Sequence, residues 1–124
     1  MVACIQVKTI VRLLLLIIGM GGLGHPVAQY LAAAGVGTLG LVDDDTVDIS
    51  NLHRQILFTE SPIGMAKTKA VADALAGVNP HIETALHEMR ADERNIDALV
   101  AAYDMIVDGS DNFATRFIVN DACF

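Results

Sequence analysis

Four glycines in six residues, Gly19, Gly21, Gly22 and Gly24 of GMGGLG, follow directly on an apolar run from Leu13 to Ile18. Backbone without Cβ atoms lets N–H groups and a following helix N-terminus come close to phosphate oxygens. Asp43 ends the next apolar run, about twenty positions on, where an acid reaches a ribose diol in dinucleotide folds. Ser50, Asn51, Arg54 and Gln55 come next, then Lys67, then Asp111 with Asn112 after a later apolar stretch. Singly, each of these polar residues is more often a solvated surface group. Together, two fixed cations and a carboxylate at one phosphate-facing edge suit a triphosphate with Mg²⁺: the cations neutralise charge and the carboxylate holds the metal. The turn and Asp43 alone would serve NAD equally well. Gly22, however, is one glycine more than the dinucleotide spacing contains, and NAD leaves Arg54, Lys67 and Asp111 without a task.

The elements that must deliver these groups can be read in order. A strand is expected from about Val11 to Ile18, continuous in its hydrophobicity as central parallel strands are. After the glycine turn a helix runs to about Ala34, with Pro26 in its first turn, Val27, Leu31 and Ala34 on one face, and Gly35 as its stop. Thr38 to Val42 forms the second strand. Thr46 to Glu60 reads as a loop, Ser61 and Pro62 as the cap and first turn of a second helix, and Lys67, Val71, Ala74, Leu75 and Val78 as its register up to the Asn79–Pro80 turn. Ile82, Thr84 and Leu86 alternate as the better-buried face of an edge strand. Ile96, Leu99, Val100 and Tyr103 make a short helix, and Met105 to Val107 a strand ending at Asp108. Asp111 is the expected N-cap of a last helix that carries Phe113, Phe117, Asn120 and Phe124 at helical spacing.

Strands alternating with helices predict right-handed crossovers and a mostly parallel sheet of about four strands ordered 3-2-1-4. The fold class is α/β, Rossmann-like, doubly wound in three layers. Ligands of such sheets bind outside the carboxyl ends of the strands, where the order reverses. The glycine turn, Asp43 and the 108–112 turn all fall at that edge and are expected to converge.

Composition sets the outer limits. One domain fits in 124 residues, and 53% hydrophobic residues with a mean hydropathy of +0.48 exclude disorder. A formal charge of -7 disfavours nucleic acid as a partner, so a bound anion must be held by local groups. Cys4 and Cys123 form no CxxC pair, and buried or incidental thiols are expected. Lys8 and Arg12 precede an apolar run too short for a signal peptide or a membrane span, and a cytoplasmic protein is the default. The run at residues 113–124 stops without a helix-ending signal, as expected of a domain truncated at its C-terminus.

From residue 13 onward, GMGGLG, LVDDDTVDISNLHRQ, GMAKTKA, VNPHI and DGSDNFATRFIVNDAC resemble the adenylation domain of the ThiF/MoeB family, relatives of ubiquitin-activating enzymes. The resemblance implies ATP- and Mg²⁺-dependent adenylylation of the C-terminal glycine carboxylate of a ubiquitin-like sulfur-carrier protein, as in molybdopterin or thiamine biosynthesis, by a homodimer. It implies that Gly22 abuts the nucleotide, Asp43 holds the ribose, and Ser50 and Asn51 line the nucleotide and phosphate side. Arg54 and Lys67 would brace the triphosphate, Asp111 would coordinate Mg²⁺, and Asn112 would complete that turn. Residues 1–12 do not resemble the family's arginine-bearing first helix. The family's two zinc-binding CxxC pairs, catalytic-cysteine loop and most of its carrier-docking surface lie beyond Phe124, and Cys123 occupies a structural position. His53 is expected to pack behind the site; His25, His81 and His87 have no ligand spacing and receive no role. An NAD-dependent oxidoreductase and a non-catalytic nucleotide-binding module are the alternatives.

Overall fold

The computed structural model describes residues 12–21, 23–48 and 64–124. Strand β1 (Leu14–Ile18) leads through the glycine turn to helix α1 (Gly24–Ala34), which Gly35 ends in a left-handed conformation at φ 85°. Strand β2 (Thr38–Val42) follows, then helix α2 (Lys67–Val78), strand β3 (Glu83–His87), helix α3 (Ile96–Ala101), strand β4 (Met105–Asp108) and helix α4 (Phe113–Cys123). Among the described residues the four strands pair in parallel and their order is β3-β2-β1-β4, as the sequence predicts.

Alternate residues of the central strands point to opposite faces, and both faces are covered. Leu15, Ile17, Leu39 and Leu41 pack with Ala28, Ala32, Val71 and Leu75 of α1 and α2. Leu16, Ile18 and Val42 pack with Ile96, Leu99 and Val119 of α3 and α4. That double burial is why β1 reads as an unbroken run of leucine and isoleucine; each such side chain contributes about 1.5–3 kcal/mol when fully buried. Gly40 stands on the second face under Tyr103, whose ring occupies the space a side chain would need. The Tyr103 hydroxyl in turn bonds His87 Nε2 at 2.8 Å, joining the segment after α3 to the edge strand.

Several elements differ from expectation in informative ways. β1 begins at Leu14, with the Leu14 N–H held by the Asp104 carboxylate. α1 turns His25, Ala28 and Ala32 inward and leaves Ala34 exposed, because the sheet accepts the small-residue stripe. α2 begins at Lys67, five residues later than the expected first residue Pro62, which with Ser61 lies outside the described residues: Gly64 has φ +86° and Ala66 is extended and bridged to Thr46, conformations no helix contains. In β3 the half-buried residues are Ala85 and His87 rather than Thr84 and Leu86, Ala85 lying beside Gly40. α4 buries Thr115 and Val119, and its phenylalanines 113, 117 and 124 face outward. Cys123 is exposed. No helix among the described residues is long and apolar enough to cross a membrane.

Candidate active site

The carboxyl ends of β1, β2 and β4 open into one cleft of about 460 Å³. Its floor is the glycine turn. Gly19 leaves β1 at φ +91° and donates its N–H to Val42 O at 2.8 Å, tying the turn to the end of β2. The three described glycines divide the work. Gly19 makes the sharp turn, and Gly24 lets α1 lie directly on that turn, since a Cβ there would overlap the Gly19 carbonyl. Gly21 has nothing within 4 Å of where its Cβ would stand, so its open side is the cleft itself. Gly109, after β4, touches the same assembly: a Cβ on it would come within 2.8 Å of Gly24 N, and its own N–H bonds Ile18 O. The turns after β1 and β4 thus pack backbone against backbone.

Asp43 reaches across from β2. One carboxylate oxygen accepts from Met20 N–H at 2.7 Å, the other from Asp45 N–H at 2.8 Å. Each oxygen keeps a further lone pair, so a ribose diol can still donate to it.

Lys67 is the first residue of α2 and 8% exposed at its side chain. It is anchored twice to the stretch after β2: its N–H donates to Asp45 O at 2.9 Å, and its ammonium stands 3.6 Å from the Asp45 carboxylate. The bonds Val47 N–H to Met65 O and Gly64 N–H to Val47 O extend that small ladder. A nearly dry cation at the mouth of a glycine turn is suited to binding an anion.

The β4–α4 turn supplies the carboxylate. Asn112, not Asp111, caps α4: its Oδ1 accepts from Ala114 N–H at 2.8 Å and Thr115 N–H at 3.4 Å. Both residue types cap well; the extended backbone of Asn112 gives it the role. Asp111 is thereby left exposed on the cleft wall, its oxygens accepting no hydrogen bond among the described residues. A free hard-oxygen donor beside an anion-binding floor fits a Mg²⁺ ligand. The triplet Asp43, Asp44 and Asp45 also clusters, but Asp43 is engaged by two N–H groups and Asp45 by Lys67.

Of the residues chosen from sequence, Gly19, Gly21, Asp43, Lys67, Asp111 and Asn112 line the same cleft, and Gly24 supports it from beneath. Gly22, Ser50, Asn51 and Arg54 lie outside the described residues, as do His53 and Gln55. Two residues escaped selection. Arg90 lines the cleft beyond β3, and its place at a carboxyl strand end was the available signal. His25, immediately after the turn, is 1% exposed.

Burial, helped by the nearby charge of Lys67, lowers the His25 pKa from 6.5 to about 4. The unfolded chain therefore takes up this proton at higher pH than the folded one. Stability is full above about pH 6.5 and declines as pH falls through 4, by at most about 3 kcal/mol in all. Urea midpoints followed from pH 7.5 to 4 should show this acid limb. His25→Gln should leave only the shallower limb from His87, whose pKa burial also lowers. An unchanged limb in the variant would assign it to other groups.

The model of the ThiF family matches residues 4–124. The probable adenylyltransferase/sulfurtransferase MoeZ of Mycobacterium tuberculosis is 51% identical over 107 residues, 86% of this chain and 27% of MoeZ. The adenylyltransferase and sulfurtransferase MOCS3 of Drosophila willistoni is 53% identical over 108 residues, 87% of this chain and 24% of its own length. The chain thus spans about a quarter of these curated relatives. Among solved structures, the E. coli tRNA N6-threonylcarbamoyladenosine dehydratase TcdA, solved in complex with ATP, superposes with a TM-score of 0.90 at 24% identity, over 94% of this chain and 49% of that one. At that identity the likeness is one of fold. E. coli MccB, solved with MccA, superposes with a TM-score of 0.87 at 29% identity, over 94% of this chain and 35% of MccB.

Proposed function

The chain belongs to the ThiF family, and from that premise we propose that it is the nucleotide-binding domain of an adenylyltransferase. In this reading it transfers AMP from ATP to the C-terminal glycine carboxylate of a ubiquitin-like sulfur-carrier protein and releases pyrophosphate. The observation that carries the proposal is the convergence of Gly21, Asp43, Lys67 and Asp111 on one cleft. A dinucleotide needs the first two and gives no account of a nearly dry lysine and a free carboxylate lining the same cleft.

The chemistry requires little covalent help from the protein. The carrier's carboxylate attacks the α-phosphorus, the bond to the β-phosphate oxygen breaks, and pyrophosphate leaves with that electron pair. Gly21 lets the backbone approach the phosphates, Asp43 takes the ribose, and Lys67 neutralises charge that develops as pyrophosphate departs. Asp111 would hold Mg²⁺, which when bound supplies charge neutralisation on the polyphosphate. Family resemblance would add Ser50, Asn51 and Arg54 as phosphate-side groups and Gly22 as a nucleotide contact. The same reading makes the enzyme a cytoplasmic homodimer.

MoeZ and MOCS3, named as adenylyltransferases, and MccB, solved with MccA, support this class of reaction and a polypeptide acceptor. The test is carrier-dependent ATP–pyrophosphate exchange by the full-length protein. Asp111→Ala should lower it by about 10²–10³-fold. Exchange indifferent to that change, or binding of NAD tighter than of ATP with Mg²⁺, would overturn the proposal.

A further inference from the structure

The carboxylate of Asp111 is useful only where the backbone before it holds still, and the turn has a clamp of its own. Arg116, in the first turns of α4, donates from Nε at 3.1 Å and from Nη2 at 3.0 Å to one acceptor, the carbonyl oxygen of Ser110. That carbonyl belongs to the peptide group joining Ser110 to Asp111. A peptide group is planar. Holding its oxygen therefore also sets the direction of the Asp111 N–H and limits the rotation that carries the Asp111 side chain.

The rest of the turn is held as well. Asp108 accepts from Ser110 N–H at 2.9 Å and from Ser110 Oγ at 2.6 Å. Asn112 is committed to the helix cap, and Gly109 lies against Gly24. These contacts fix residues 109, 110 and 112. Arg116 is the described side chain that restrains the plane leading into residue 111. An exposed arginine ordinarily spends its donors on water, and ordering one costs side-chain entropy. Two donors converging on a single neutral carbonyl, in a turn that ends in the cleft, give this one a specific task.

We propose that Arg116 is a positioning residue that orients the Asp111 carboxylate toward the metal–phosphate face of the cleft. The inference rests on the assignment of Asp111 to Mg²⁺ under the proposed function. It concerns geometry rather than charge, because the acceptor is a carbonyl and the guanidinium fork matters more than its sign.

The experiment is calorimetric titration of the full-length protein with ATP, once in Mg²⁺ and once in EDTA, which separates metal-dependent from metal-independent affinity without any turnover. Arg116→Ala should weaken binding of ATP with Mg²⁺ by about tenfold, the scale of one charge-assisted hydrogen bond, while metal-free affinity and the thermal unfolding midpoint stay as in the wild type. Arg116→Lys, which keeps the charge and loses the fork, should recover less than half of the loss. An equal loss with and without metal, no loss at all, or full recovery by lysine would each overturn the proposal. Asp111→Ala tells its failure from that of the parent reading. Metal-dependent tightening lost in Asp111→Ala but kept in Arg116→Ala defeats only the positioning role; tightening kept in both defeats the metal assignment and the positioning role with it.

Discussion

Replacing Gly24 by alanine should cost the protein about 3 kcal/mol of stability or more, read as a drop in the urea or thermal midpoint of unfolding. The new methyl would overlap the carbonyl oxygen of Gly19, and the carbonyl carbon behind it is only 2.9 Å away. These are backbone atoms with no rotamer to yield. Overpacking usually costs about 1–3 kcal/mol where side chains absorb it, and this contact offers none. Relief requires lifting α1 from the end of β1, which also parts Gly24 from Gly109 and opens the floor of the cleft. Gly21→Ala is the matching control. With nothing within 4 Å of its Cβ and no positive φ, it should fold within about 0.5 kcal/mol of the wild type. Under the proposed function it should nonetheless bind ATP worse, because the methyl would enter the cleft where the phosphates are proposed to lie. Equal stability of the two variants would show that the turn is more compliant than its contacts imply.

Lys67→Met should separate activity from stability in the opposite sense. A buried lysine that loses its charge gives up phosphate binding, and exchange should fall by about 10²–10³-fold. The fold should lose little. Asp45, its partner, is 69% exposed at the side chain and returns to water, so no buried charge is stranded, and methionine fills a similar volume. Because the Lys67 charge helps to depress the His25 pKa, the lower end of that acid limb should also move up. Exchange within threefold of wild type would remove Lys67 from the mechanism. A large loss of stability would mean that the Lys67–Asp45 pair is structural.

Much of this arrangement was legible because its signals are local. An apolar run, a glycine cluster and an acid at the next strand end require only the chain's own periodicity, and Thr38–Val42 emerged with its predicted bounds. What escaped was decided by partners distant in sequence. The α4 phenylalanines and the Thr115–Val119 stripe both satisfy a helical period; the sheet surface behind the helix chose the second. Asp111 and Asn112 are equally good capping residues, and the backbone path out of β4 selected Asn112. The start of α2 turned on whether Gly64 would take a positive φ, which composition does not reveal. His25 carries no motif; its lowered pKa follows from burial and from the charge of Lys67 nearby.

Asp43 stands just past the end of β2, where its carboxylate ties the glycine turn to the following loop. In dinucleotide enzymes the acid at this position meets the sugar, and its environment distinguishes plain from 2′-phosphorylated cofactors. Here both of its oxygens also carry backbone, the Met20 amide on one side and the Asp45 amide on the other. Under the proposed function one side chain would serve both sugar recognition and loop architecture, so a substitution that removes the Asp43 carboxylate should release the loop as well as alter the nucleotide preference.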